Sequence, residues 1–163
     1  MGCSTFKEEK NIKKEEHIKG HAESLPFKTI SLISEQMKNN VCKIEKENST
    51  GTGFLCSVPF YDKFHLLPVL ITSYHVLGKN DVISGKKIKL VFNDNIKYLL
   101  IDNSRLIYFS EDNEYDTTII EIRQEDGFNL DNLFEIDNNI FKTDELNDLY
   151  KEQTIYIIHY PKG

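Results

Sequence analysis

The sequence predicts an all-β fold across residues 25–126, made of short antiparallel strands that suit a small barrel or sandwich. Three observations carry this expectation. VCKIEKE (41–47) alternates apolar and polar residues, as a strand with one buried face does. Strand-like runs are twice joined by turn residues, the signature of a hairpin. LPVLIT (67–72) is a continuous apolar run, too short for a helix and rich in β-branched residues, which suits a fully buried strand.

Taken in order, VCKIEKE is followed by a turn at Ser49-Thr50-Gly51 and then by TGFLCSVPF (52–60), which together form the first hairpin. YDKFH (61–65) reads as a loop leading into LPVLIT. Residues 74–78 form one helical turn closed by Gly78. KIKLVFN (87–93), the turn pair Asp94-Asn95 and IKYLLID (96–102) form the second hairpin. RLIYFS (105–110) and TTIIEIR (117–123) complete the sheet.

Two flanking regions differ in composition. Residues 1–24 are a charged leader with few apolar residues to bury, expected to be a frayed helix or disordered; Thr5 and Glu8 have capping-box spacing. Residues 127–163 are an acidic connector, with seven acidic residues and two lysines between 127 and 152. Within it, DELNDLYK (144–151) has helical spacing, and TIYIIHY (154–160) reads as a further strand before the turn Pro161-Lys162-Gly163.

With 163 residues, the chain is long enough for one domain with a real core or for part of a larger one. A formal net charge of −6 argues against a dedicated nucleic-acid binder, whose footprint is a basic face. No apolar stretch is long enough for a transmembrane helix, and the start lacks the apolar core of a secretory signal. The expected location is therefore cytoplasmic, where cysteines stay reduced. Cys3, Cys42 and Cys56 form neither a disulfide framework nor a paired zinc-ligand spacing, and Cys42 and Cys56 sit in strand-like runs as core thiols. No metal or cofactor is implied: no His-x-x-x-His or paired-Cys spacing supports a site that uses His75 and Asp116. Met1-Gly2-Cys3-Ser4 begins like an N-myristoylated, Cys-palmitoylated protein, which makes Gly2 and Cys3 candidate lipidation sites for peripheral membrane association. The match is imperfect, because Phe6 stands where Ser or Thr is preferred.

His75 is the residue with chemistry to explain. It follows the buried run LPVLIT within TSYHVLG, downstream of Gly51-Thr52-Gly53-Phe54. Asp116, 41 residues later, opens the apolar run Thr117-Thr118-Ile119-Ile120. Its acidic neighbours Glu111, Asp112 and Glu114 are rivals, but Asp116 is the one that directly precedes the run. His159 reads as a strand residue, and His17, His21 and His65 as solvent or loop residues. A lone histidine at a strand end is more often structural than catalytic, and it is the flanking pattern that shifts the balance.

The pattern Gly51-Thr52-Gly53-Phe54, then Ile71-Thr72-Ser73-Tyr74-His75-Val76, then Asp116-Thr117-Thr118-Ile119-Ile120 resembles the trypsin-like (chymotrypsin-like) serine peptidases over roughly residues 34–163. Ile157 to Gly163 is similar to the strand and turn that open that family's second barrel. The resemblance implies a six-stranded antiparallel barrel over 25–126 and an incomplete second barrel. It implies that His75 is the general base and Asp116 the acid that orients it, acting on a serine in a Gly-x-Ser-Gly-Gly loop. No such loop occurs here, and every serine of the chain precedes Asp116. The implied function is therefore part of a serine endopeptidase, inactive by itself, with a protein or peptide substrate once the missing half completes it. The alternative is a non-catalytic interaction module, held at a membrane by the acylated start. A half-domain would expose apolar surface and self-associate; a monodisperse monomer would favour the module.

Overall fold

A computed structural model describes residues 24–47, 49–93, 95–110 and 115–136. The leader 1–23, with Gly2 and Cys3, lies outside the described residues, as do Glu111, Asp112 and Glu114 and the helix and strand expected at 144–151 and 154–160.

The first described element is a helix, α1 (Phe27–Asn40), in a stretch expected to belong to the β region. Its apolar residues Phe27, Ile30, Ile33 and Met37 fall at helical rather than strand spacing, and Pro26 caps its start. The Pro26 carbonyl accepts from the amides of Thr29 and Ile30. Among the described residues, its C-terminal end is the anchored part: Asn40 is buried and its Nδ2 donates to the Asn132 carbonyl at 2.7 Å. Phe27, Ile30 and Leu32 remain exposed.

The remaining elements are β1 (Val41–Glu45), β2 (Thr50–Phe60), β3 (Asp62–Ser73), β4 (Lys87–Phe92), β5 (Asn95–Leu100), β6 (Ile107–Phe109), β7 (Thr117–Glu121) and the two-residue β8 (Phe134–Glu135). Each of the seven runs read from the sequence carries one antiparallel strand, β1 to β7, where the resemblance implied a six-stranded barrel. The last two, β6 and β7, pair from Ile107 opposite Ile120 to Phe109 opposite Thr118. YDKFH is not a loop. Tyr61 makes the reversal, with φ 64°, and β3 starts at the next residue with Phe60 opposite Asp62; the register shifts between Phe60 and Pro59, which stands opposite Leu66, and the ladder is regular from there.

The strands are joined in the order β5-β4-β1-β2-β3-β7-β6, with β8 added in parallel beside β2. Every neighbouring pair in that path is antiparallel. Side chains alternate between faces: Ile44, Leu90 and Ile120 point to the same buried interior as Leu55, Leu70 and Leu99. Strands at opposite ends of the path therefore share one core, which requires the sheet to curl. No pairing joins β5 to β6 among the described residues, so the result is an open, curled half-barrel.

Cys42 and Cys56 are free and buried: Cys42 lies in this core, while Cys56, next to the inward-facing Leu55, is buried on the other face of β2, opposite Phe134 of β8. Burial away from water disfavours the thiolate and pushes the Cys42 thiol up to about 12 and the Cys56 thiol up to about 11. Beneath the β6 end lies a charged cluster that the sequence did not announce. The Arg105 side chain, 2% exposed, grips Asp126, 6% exposed, through two parallel hydrogen bonds of 2.8 Å. Arg105 also donates to the Glu121 carbonyl, and Asp126 accepts from the Arg123 amide, which ties the end of β7 to the turn 124–126.

Candidate functional site

The pairing of β3 with β7 decides where His75 and Asp116 meet. The two strands are antiparallel, with Ser73 opposite Thr117 and Thr72 opposite Thr118. The residue before β7 is therefore beside the residues just after β3. Asp116 immediately precedes β7, and His75 stands two positions beyond the end of β3. Residues separated by 41 positions in the chain become neighbours through strand register alone.

Three hydrogen bonds fix the contact. His75 Nδ1 is 2.5 Å from Asp116 Oδ2. The backbone amide of His75 donates to the other carboxylate oxygen, Oδ1, at 2.9 Å. The amide of Tyr74 donates to the Asp116 carbonyl, also at 2.9 Å. Both oxygens of the carboxylate are thus held by one residue, His75. An ionised carboxylate only accepts hydrogen bonds, so Nδ1 carries the proton and Nε2 of the neutral ring keeps its lone pair. The hydrogen bond from the His75 side chain, followed by that from its backbone amide, holds the Asp116 carboxyl below the ordinary carboxylate range. Asp116 adopts φ 42°, in the left-handed region that aspartate tolerates better than most side chains.

The pair is open to solvent, with the His75 side chain 69% and the Asp116 side chain 46% exposed. Its supports are half-buried or buried. The segment after β3 turns back on itself, with the amides of Val76 and Leu77 donating to the Ser73 carbonyl; this is the helical turn expected at 74–78. Tyr74 packs edge-on against Phe109 of β6, their centroids 6.0 Å apart. Val76 lies so close to Gly51 that a Cβ on the glycine would stand 2.5 Å from both Val76 methyl groups. Gly53, in the same strand, leaves room for Ile44 and Leu70, whose Cδ1 atoms would lie 2.9 Å from an added Cβ. The two glycines of the GTGF segment thus serve two close approaches, one to the turn that carries His75 and one to the core. Thr72 and Thr118, register partners just below the pair, are buried and donate their hydroxyls to the carbonyls of Thr52 and Leu77.

Of the residues singled out by sequence, His75 and Asp116 are in direct contact, while His65 is exposed on β3 and distant in sequence from the β3–β7 junction. Thr118 was not anticipated as part of the site. The available signal was a hydroxyl at an inward-facing position of a period-2 run, where a β-branched hydrocarbon would otherwise stand. Among the described residues no group of three or more His, Cys, Asp or Glu side chains is placed to hold a metal ion. No helix among them is long and apolar enough to cross a membrane.

A histidine so oriented, with Nε2 available and its other nitrogen bound to an anion, has the features of a general base: a fixed tautomer and a counter-charge for the imidazolium that forms. Searches of protein-family models, curated proteins and solved structures returned no match to this chain.

Proposed function

We propose that this chain supplies the His–Asp half of a trypsin-like serine endopeptidase site. The observation that carries the proposal is the two-point grip of His75 on Asp116, Nδ1 to Oδ2 and backbone amide to Oδ1. That grip constrains the ring and the carboxylate at once, which is what a base needs if it is to take a proton through Nε2 in one orientation. In this reading His75 removes the proton of a serine hydroxyl and later returns it to the leaving amine, while Asp116 stabilises the imidazolium without taking the proton. The serine and the amides that would stabilise the tetrahedral oxyanion come from outside these 163 residues, in which no Gly-x-Ser-Gly-Gly segment occurs. The substrate is a protein or peptide. In the alternative reading, a non-catalytic interaction module, acyl chains on Gly2 and Cys3 would hold the protein at a membrane surface, two chains anchoring more firmly than one.

The test is labelling of the full product of the native transcript with a fluorophosphonate, which reacts with activated serines. Labelling of the wild type should fall by about 10³- to 10⁴-fold in His75→Ala and in Asp116→Asn. A full-length product that takes no label would end the peptidase reading and leave the barrel as an interaction module.

A further inference from the structure

We infer that Thr118 is a positioning residue for His75, its hydroxyl clamping the turn that carries the histidine onto β7. The consequence for catalysis rests on the peptidase reading above; the clamp itself does not. Thr118 is fully buried, at 0% exposure, at an inward-facing position of β7 between the half-buried Thr117 and Ile119. A valine would fill the same volume without burying a hydroxyl, so the hydroxyl calls for a reason. The reason is Leu77, whose carbonyl accepts from Thr118 Oγ1 at 2.7 Å and whose side chain is itself buried. A buried carbonyl left without a donor is costly, so this bond decides whether the turn can sit against the sheet.

The turn is thereby fastened to β7 and its leading residue on both sides of the histidine. Before it, the Tyr74 amide donates to the Asp116 carbonyl; after it, the Leu77 carbonyl receives the Thr118 hydroxyl. His75 lies between the two fastenings, and its contact with Asp116 needs both. Asp116 directly precedes β7 and Thr118 is the second residue of that strand, so the carboxylate and the clamp are only two residues apart on the same stretch of chain. Thr72 provides an internal control. It is the register partner of Thr118, is also buried, and also donates its hydroxyl to a carbonyl, but that carbonyl belongs to Thr52 in β2 and not to the turn.

The experiment is amide hydrogen exchange by NMR on the 163-residue chain and its Thr118→Val, Thr118→Ser and Thr72→Val variants. Loss of one net hydrogen bond should speed exchange at Tyr74, His75 and Leu77 by about five- to tenfold beyond the change at core amides of β1 in Thr118→Val. Thr118→Ser, which keeps the hydroxyl, should restore wild-type rates at those amides relative to the core. Thr72→Val should change the turn no more than it changes the core. Equal acceleration at the turn and in the core in Thr118→Val, or the same turn effect in Thr72→Val, would overturn the inference. Should Thr118→Val fail to fold, the wild type decides: a slowly exchanging Thr118 hydroxyl proton with a cross-peak to Leu77 supports the clamp, and a rapidly exchanging one refutes it. A low-field His75 Nδ1 proton is recorded in the same samples. Its absence from the wild type would count against the His–Asp pairing while leaving the clamp to stand or fall on the amide rates.

Discussion

Adding one methyl group at Gly51 should disturb the fold and the His75 turn together. The Cβ of Gly51→Ala would lie 2.5 Å from both γ-methyl carbons of Val76 and 3.0 Å from its Cβ. Comfortable carbon contacts begin near 3.5 Å, so about an ångström of relief is needed at two atoms. Val76 cannot supply it by rotating: its β-branched side chain has few χ1 wells, and it is 8% exposed in the main core cluster. The backbone of the turn must move instead, and it carries His75. Overpacking of this kind costs about 1–3 kcal/mol. Val76→Ala alone removes two buried methyl groups, worth about 1.6 kcal/mol at 0.8 kcal/mol each. If the contact is the cause, Gly51→Ala combined with Val76→Ala should be more stable than the sum of the single effects predicts, by about 1–2 kcal/mol of coupling. Urea unfolding of the four proteins measures this cycle. The low-field His75 Nδ1 proton should weaken in Gly51→Ala and recover in the double variant. Strict additivity, or a Gly51→Ala cost under about 0.5 kcal/mol, would refute the close-packing argument.

Four further outcomes are expected. Asp126→Asn removes the charged two-point partner of the buried Arg105 guanidinium, leaving Asp102 at 3.7 Å, and should cost about 3 kcal/mol in urea unfolding, whereas Arg105→Met with Asp126→Leu should recover most of the loss. The Glu45 carboxyl is lowered to about 2, first by the hydrogen bond from Lys89 and then by that from Lys43. A depressed carboxylate stabilises the fold above its unfolded value of 4.5 and loses that contribution as pH falls toward 2. Glu45→Gln should therefore flatten the acid limb of the stability–pH curve in that window, and added salt should shrink the difference because the half-buried group, its side chain 27% exposed, still meets solvent. In the native protein, Cys42 and Cys56 should resist iodoacetamide at pH 8, as read by peptide mass mapping, and react once urea exposes them. Light scattering on the chain should show association that grows with concentration, since Phe27, Ile30 and Leu32 of α1 and Tyr61 at the hairpin tip are exposed; a monomer at all concentrations would favour the interaction module.

Much of the sheet was legible because period-2 alternation reports burial on one face directly. The segment 87–92 alternates in exposure, with Ile88, Leu90 and Phe92 buried, and in 41–45 Ile44 is buried between the half-buried Lys43 and Glu45, whereas TTIIE (117–121) alternates in exposure although its sequence does not. The helix over 27–40 was not legible in the same way. Its apolar residues mostly face solvent, so no buried stripe separated it from the β region that follows, and the useful signals were Pro26 and the spacing of Ile30, Ile33 and Met37. The loop expected at 61–65 failed because a single residue at positive φ replaced the multi-residue turn that the composition suggested. The Arg105–Asp126 pair and the Thr118–Leu77 bond were beyond reach, since each joins residues whose proximity depends on how the sheet curls.

By itself the sequence determined which residues alternate, which runs are apolar enough to be strands, and that a histidine and an aspartate sit at the mouths of two of them. These are local properties, set by side-chain chemistry within a few positions. Only the tertiary structure decided that the two mouths coincide, that seven strands curl without closing among the described residues, and that both oxygens of Asp116 are taken by His75. The physical reason is register. A hydrogen-bonded ladder places Ser73 opposite Thr117, and a slip of one residue would turn Thr118 and Ile120 out of the core and carry Asp116 away from the histidine.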